Sequence, residues 1–249
     1  MGKKGQKRQK SEGIYKAADA QFQYQESINS LRTNLRFVSM TGECKKIVIT
    51  SAIPNEGKTT IAINLSYSLA SAGSKVLLID CDLRKPALQR YMKLSPEPSK
   101  GLINLLRYQS APDNESYHFI QQNFFVLTSG AVPPNPAAIL GSSLMKDLLE
   151  MVSDQFDYVI MDTAPVSAVT DAAVLSQFAD GILMVVRQKL VTFEQARQAK
   201  KNLDAVNANI LGVVLNGFDI RHIDKKSGYY YSYYHSSAGG GDQPAIRGK

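Results

Sequence analysis

Three short stretches of this 249-residue chain combine side chains that could grip and move a phosphate. The first, AIPNEGKTT from Ala52 to Thr60, has the form GxxxxGK[ST], with Ala52 in place of the first glycine. In such a loop Pro54, Asn55, Glu56, Gly57, Lys58, Thr59 and Thr60 wrap the phosphates of a nucleotide. Gly57 permits close approach of the backbone, and N–H groups at the following helix start point at the anion. Lys58 can then reach the β- and γ-phosphates of ATP while the Thr59 hydroxyl ligates Mg²⁺. A chance Gly-Lys-Thr in a turn is the competing reading. An apolar strand before the loop and a helical pattern after it argue against that.

The second stretch, VLLIDCDLR, closes an apolar run with Asp80, Cys81, Asp82 and Arg84. Side chains alternate along an extended strand, so Asp80 and Asp82 project to the same side if the extension persists, and both can then meet a metal or an acceptor. The competing reading makes them a helix cap before Pro86. The third, YVIMDTAP, ends another apolar run in Asp162, followed by Thr163 and Pro165. An acid at such a strand end holds Mg²⁺ directly or through water. The candidate catalytic residues are therefore Lys58, Asp80, Asp82 and Arg84, and the candidate metal ligands Thr59, Asp80 and Asp162.

To position them, the chain offers short Val- and Ile-rich runs at 46–50, 75–80, 124–130, 157–162, 181–186 and 210–216, which read as buried parallel strands. Helical stretches lie between them. Ile61, Leu65 and Leu69 recur at helical spacing ahead of Gly73, and Thr192 with Gln195 forms an N-terminal capping pattern. Alternating strands and helices imply a doubly wound, mostly parallel α/β sheet in three layers, whose ligands sit at the carboxyl ends of the strands. Residues 21–219 read as this domain, opening with a helix over about 21–39. Residues 1–20 read as a basic disordered arm and 220–249 as a flexible tail.

Composition narrows the classes. A 44% hydrophobic content suits a substantial core, and the net charge of +7 is concentrated in Lys3, Lys4, Lys7, Arg8 and Lys10. Such an arm suits a solvated tail or an anionic membrane face. No second basic run follows it, so nucleic acid is not an expected partner. Two cysteines without metal-ligand spacing suit a reducing cytoplasm. No apolar run approaches the roughly 18 residues a bilayer span needs. The tail holds SGYYYSYYHSSAGGG, with Tyr229, Tyr230, Tyr231, Tyr233 and Tyr234 making five of the twelve tyrosines.

These residues resemble the bacterial tyrosine kinases, in the stand-alone cytoplasmic form encoded with capsule or exopolysaccharide export systems. The resemblance runs over about 22–234 and rests on Pro54 ahead of Gly-Lys-Thr, Asp80-x-Asp82-x-Arg84, Asp162 to Pro165, and the tyrosine cluster. It implies an ATP- and Mg²⁺-dependent tyrosine autokinase that labels its own cluster and regulates polysaccharide biosynthesis and export. The family's helix motif ExxRxxR, which drives ring-shaped homo-oligomers, is matched at Glu26 and Arg32, with Asn29 at its middle position. Asn216 resembles the residue that contacts adenine. The resemblance further implies a transmembrane activator of the polysaccharide co-polymerase type, recruiting the kinase to the inner face of the membrane, and a cognate tyrosine phosphatase. The rival reading is a partition- or cell-division-type ATPase switch of the same fold. Those carry a signature lysine five positions before the invariant one, where this chain has Ile53. An inactive binding module is disfavoured because none of the catalytic positions is substituted.

A phenol with a pKa of about 10 needs a base, for which Asp82 is the first choice and Asp80 the second. From Asp219 to the cluster is about 10–15 residues, at most about 35–50 Å extended. That crosses a core of about 40 Å diameter to a neighbouring subunit, so transfer in trans is expected.

Overall fold

The computed structural model describes residues 21–38, 44–95, 97, 100–109 and 112–218. The arm 1–20 and the tail with Tyr229, Tyr230, Tyr231, Tyr233 and Tyr234 lie outside the described residues. The chain divides into a unit ending at Asn216 and a second beginning at Gly217. The first unit opens with α1, helical over 21–38. Then come β1 (Lys46–Ser51), α2 (Lys58–Ser71), β2 (Val76–Asp80), α3 (Leu88–Tyr91) and α4 (Leu102–Tyr108). After these stand β3 (His118–Gln121), β4 (Phe124–Leu127), α5 (Pro136–Leu140), α6 (Ser143–Ser153) and β5 (Tyr158–Asp162). The unit closes with α7 (Asp171–Leu175), β6 (Gly181–Arg187), α8 (Phe193–Asp204) and β7 (Ile210–Asn216).

The seven strands form one sheet in the order β3-β4-β2-β5-β1-β6-β7. Every neighbouring pair is parallel except β3 with β4. The six strands expected from apolar runs are all present. β3 is an addition: HFIQ is short, half polar and at the edge, so it carries no continuous apolar signal. β2 and β1 are not adjacent, because β5 runs between them.

Period-two alternation divides each strand's side chains between two cores. Ile47, Ile49, Leu78 and Ile160 join Ile61, Leu65 and Leu69 of α2 and Ile28 and Leu35 of α1 on one face. Val48, Leu77, Ile79 and Met161 meet Leu102 and Leu106 of α4, Leu148 and Leu149 of α6, and Leu203 of α8 on the other. Helices on both faces explain why the central strands read as unbroken apolar runs. The Thr192 capping box at the start of α8 is present, with Gln195 N donating to Thr192 Oγ1 at 3.2 Å and Thr192 N to Gln195 Oε1 at 3.0 Å. Among the described residues no helix is long and apolar enough to cross a membrane.

α1 belongs to this core. Arg32 donates to the Ser68 carbonyl at 3.0 Å and to Ser68 Oγ at 3.1 Å, placing a cation at the C-terminal end of α2, where the helix dipole favours it. Asn29 accepts from Ser68 Oγ at 3.1 Å and donates to Glu26 at 3.0 Å. The two matched positions of the helix motif thus lie in one polar chain running onto α2. Leu35 is 2% exposed, so Leu35→Ala is expected to cost about 2–5 kcal/mol in denaturant unfolding. A loss under about 1 kcal/mol would show that α1 is not docked.

Candidate active site

β1, β5 and β2 run side by side, and all three motif loops leave from their carboxyl ends. The register sets Asp80 opposite Asp162 across the β2–β5 pair, and Ile49 opposite Asp162 across β1–β5. The loop after β1 turns at Pro54 and Asn55, the latter in the left-handed conformation that asparagine tolerates, at φ 68°. Gly57 caps α2 at φ 94°, and a Cβ there would run into the Asn216 amide. Backbone conformation therefore favours glycine, and a Cβ would also push the Asn216 amide aside. Lys58, Thr59 and Thr60 form the first turn of α2, with Thr59 buried and Thr60 exposed.

Glu56 is fully buried. Its carboxylate accepts from Ile53 N at 2.7 Å and from Arg187 N at 3.0 Å, tying the phosphate loop to the end of β6. Asn216 Nδ2 donates to the Glu56 carbonyl at 2.8 Å, tying it to the end of β7 as well. Both side chains thus brace the loop. Nothing in the sequence pattern pointed to Arg187, which holds the loop through its backbone N–H and also donates from Nη1 to the Asn55 carbonyl at 3.4 Å.

Lys58 Nζ stands 3.1 Å from Asp82 Oδ2, 3.7 Å from Asp162 Oδ1 and 3.4 Å from Thr59 Oγ1. The structure therefore brings Lys58, Thr59, Asp82 and Asp162 together. Asp80 differs from the expectation of two aspartates on one side. β2 ends at Asp80, and the chain then turns so that Asp80 Oδ2 accepts from Ala87 N at 2.9 Å and Leu88 N at 3.0 Å, capping α3. Its other oxygen accepts from Asp82 N at 3.3 Å. Asp80 is thus a helix cap, though to N–H groups just after Pro86, whereas Asp82 stays beside Lys58. Arg84 forms a two-pronged bond to Asp171, at 2.9 Å from Nε and 3.1 Å from the other nitrogen, rather than pointing at the phosphate loop. Asp171 lies outside the three motifs; its one signal was an acid opening a helix soon after Asp162.

The electrostatics favour a bound cation. Burial pushes Asp80 up to about 7, with Asp162 adding to the effect and the two backbone bonds opposing it. Burial likewise pushes Asp162 up to about 6, against the pull of Lys58. Burial opposes the charge on Lys58, but Asp162, Asp82 and Asp80 outweigh it and raise its pKa. Both Asp162 oxygens are buried without a hydrogen-bond partner, an arrangement that costs free energy unless something meets them. A Mg²⁺ held by the Thr59 hydroxyl and phosphate oxygens, with Asp162 reaching it directly or through water, fits those two oxygens. Among the described residues no three carboxylate, histidine or cysteine side chains form a cage of their own. Mg²⁺ commonly keeps water and phosphate ligands instead. Cys81 is buried between the two acids, and that burial pushes its thiol well up, away from nucleophilic chemistry.

The model for the AAA domain matches residues 44–213. Tyrosine-protein kinase YwqD of Bacillus subtilis is 40% identical over 204 residues, covering 82% of this chain and 84% of the relative. The chain belongs to the bacterial tyrosine kinases. The kinase domain of Escherichia coli tyrosine kinase ETK superposes with a TM-score of 0.74 at 36% identity, over 79% of this chain and 76% of that one. A ParA family ATPase from Chlorobium tepidum shares the fold at a TM-score of 0.59 and 20% identity, over 71% of this chain and 76% of its own. Kinase membership answers the rival reading, and the likeness to the ATPase extends to the fold alone.

Both raised carboxylates make the folded protein bind more protons than the unfolded chain between about pH 4 and pH 7, so their contribution to stability falls as pH rises through that window. Asp162→Asn removes one such charge. It is expected to raise the nucleotide-free melting point at pH 8 by a few degrees, about 1–2 kcal/mol, with little change at pH 5, and to abolish stabilisation by MgADP. Equal shifts at both pH values in thermal melts would contradict the burial argument.

Proposed function

We propose that this tyrosine kinase transfers the γ-phosphoryl group of ATP to Tyr229, Tyr230, Tyr231, Tyr233 and Tyr234 of a neighbouring copy. The observation that carries this reading is the Asp82 carboxylate standing 3.1 Å from Lys58 Nζ, with Asp80 already committed to α3. In the proposed reaction the tyrosine oxygen bonds to the γ-phosphorus as the bond from that phosphorus to the β,γ-bridging oxygen breaks. The phenolic proton passes to Asp82 and ADP leaves. Lys58 exchanges its carboxylate partners for the β- and γ-phosphates and offsets the charge that develops there. Mg²⁺ at Thr59 and Asp162 supplies further charge neutralisation. Most of the rate then comes from position and electrostatics. The adenine contact of Asn216 follows from the resemblance; its side chain is bonded to the Glu56 carbonyl.

The rest of the reading follows from the resemblance and the tail. Five phosphotyrosines carry roughly −7.5 to −10 charges, which exceeds the chain's +7. Repulsion between such tails gives a route to disassembly of a ring built through the α1 helices. A transmembrane activator of the co-polymerase type brings the kinase to the membrane's inner face, a cognate phosphatase resets it, and the cycle regulates capsule or exopolysaccharide export.

The test is to incubate the protein with MgATP and blot for phosphotyrosine, over a dilution series. Lys58→Met is expected to lower labelling by about 10²–10³-fold, and Phe at all five tail tyrosines to abolish most of it. A rate per molecule that does not change on dilution to monomer would refute transfer in trans.

A further inference from the structure

Asp171 is the fully buried partner of a guanidinium that is 39% exposed. Both its oxygens receive a nitrogen of Arg84, the planar two-pronged geometry that fixes orientation as well as distance. The elements it joins give this pair its interest. Arg84 lies two residues beyond Asp82 in the loop leaving β2. There Lys85 N donates to the Asp82 carbonyl at 3.2 Å and to Asp82 Oδ1 at 3.1 Å, so Asp82 is oriented by a tight turn built around Arg84. Asp171 opens α7, which follows the loop leaving Asp162. That loop is stitched to β1 and the phosphate loop: Thr163 N donates to the Ile49 carbonyl at 3.0 Å, Val166 N to the Ser51 carbonyl at 2.9 Å and Ser167 N to the Ala52 carbonyl at 3.3 Å. Thr50 Oγ1 donates to the Ala164 carbonyl at 2.9 Å.

Two of the three motif loops are thus fastened to each other by backbone. The third, carrying Asp82, has one such backbone bond, from Cys81 N to the Asp162 carbonyl at 2.8 Å, and past that residue is joined to them by side chains, the Arg84–Asp171 pair and the Lys58 contact. Lys58 must leave Asp82 for the phosphates when nucleotide binds. During turnover the pair is then the charged link that keeps the Asp82 turn in register with Asp162 and the phosphate loop.

We propose that Asp171 is a positioning residue for phosphoryl transfer, holding the Asp82 turn through Arg84 so that the base and the phosphate loop keep one geometry. Arg84 acts in this as a brace between loops and not as a ligand of the phosphates. The proposal rests on the placement of the γ-phosphoryl group among Lys58, Asp82 and Asp162.

The test is a double-mutant cycle in the full chain, with Arg84→Ala, Asp171→Asn and both together, read as ADP formed and as phosphotyrosine formed. Misplacing a reacting group by about 1 Å costs on the order of 10²-fold. Asp171→Asn is therefore expected to lower kcat about 10- to 100-fold while KM for ATP stays within about threefold. The double variant should fall no more than about twofold below the worse single one, because one interaction is lost in all three. Arg84→Lys keeps the charge without the planar fork and is expected at least about fivefold below the unsubstituted protein; it decides the matter if Asp171→Asn fails to fold. Losses that multiply in the double variant, a kcat within about twofold in Asp171→Asn or Arg84→Lys, or a KM that rises as much as kcat falls would each overturn the proposal. If the unsubstituted chain forms ADP without labelling tyrosine, the reading of the tail falls, while the cycle remains readable in ADP.

Discussion

One lysine among three carboxylates governs the architecture of this end of the sheet. Asp80 and Asp162 are directly opposite each other on neighbouring strands, both nearly or wholly removed from water, with Asp82 a short turn away. Coulombic repulsion in such a setting is only partly screened, and a single ammonium group cannot satisfy three anions. The fold answers in two ways. It commits the N–H groups at the start of α3 to Asp80, and it leaves Asp162 with two unmet oxygens beside the loop where Mg²⁺ and phosphate would sit. Protein stability and ligand affinity are therefore opposed here: the excess of negative charge that weakens the nucleotide-free protein is what a cation relieves.

That arrangement requires its loops to be held. A loop of Gly, Asn and Pro has little side-chain material to pack, so its position depends on what grips its backbone. Glu56 and Asn216 supply grips from β6 and β7, strands on the far side of β1 from Asp82. Buried carboxylates that accept backbone N–H groups are as structural as any core leucine, although sequence motifs count them as part of the ligand's binding loop.

Much of this was legible in the sequence. Runs such as VLLID and YVIMD are apolar on both faces because helices cover both, and that made six strands and the parallel architecture readable. The Lys58, Thr59, Asp82 and Asp162 cluster followed from the phosphate-loop pattern and from acids at or just past the strand ends. The details that were not legible depend on what happens just past a strand. Whether Asp80 and Asp82 share a side turns on the dihedrals of the residues after β2, and the chain bends there to form α3. The interposition of β5 between β1 and β2 is a matter of sheet order, which no local pattern encodes. Asp171 and Arg187 act on partners distant in sequence, so neither leaves a motif. β3 and the helices α4 to α6 are short or amphipathic pieces whose roles are decided by the surface they cover.

The separate moorings of the phosphate loop and the Asp82 turn have an evolutionary corollary. The phosphate loop is anchored on the β6–β7 side of the sheet, whereas the turn that holds Asp82 is anchored on α7. A scaffold moored in this way lets side chains around α7 vary while the Glu56 and Asn216 grips on the phosphate loop stay in place, on a fold that the kinase domain of ETK and a ParA family ATPase have in common.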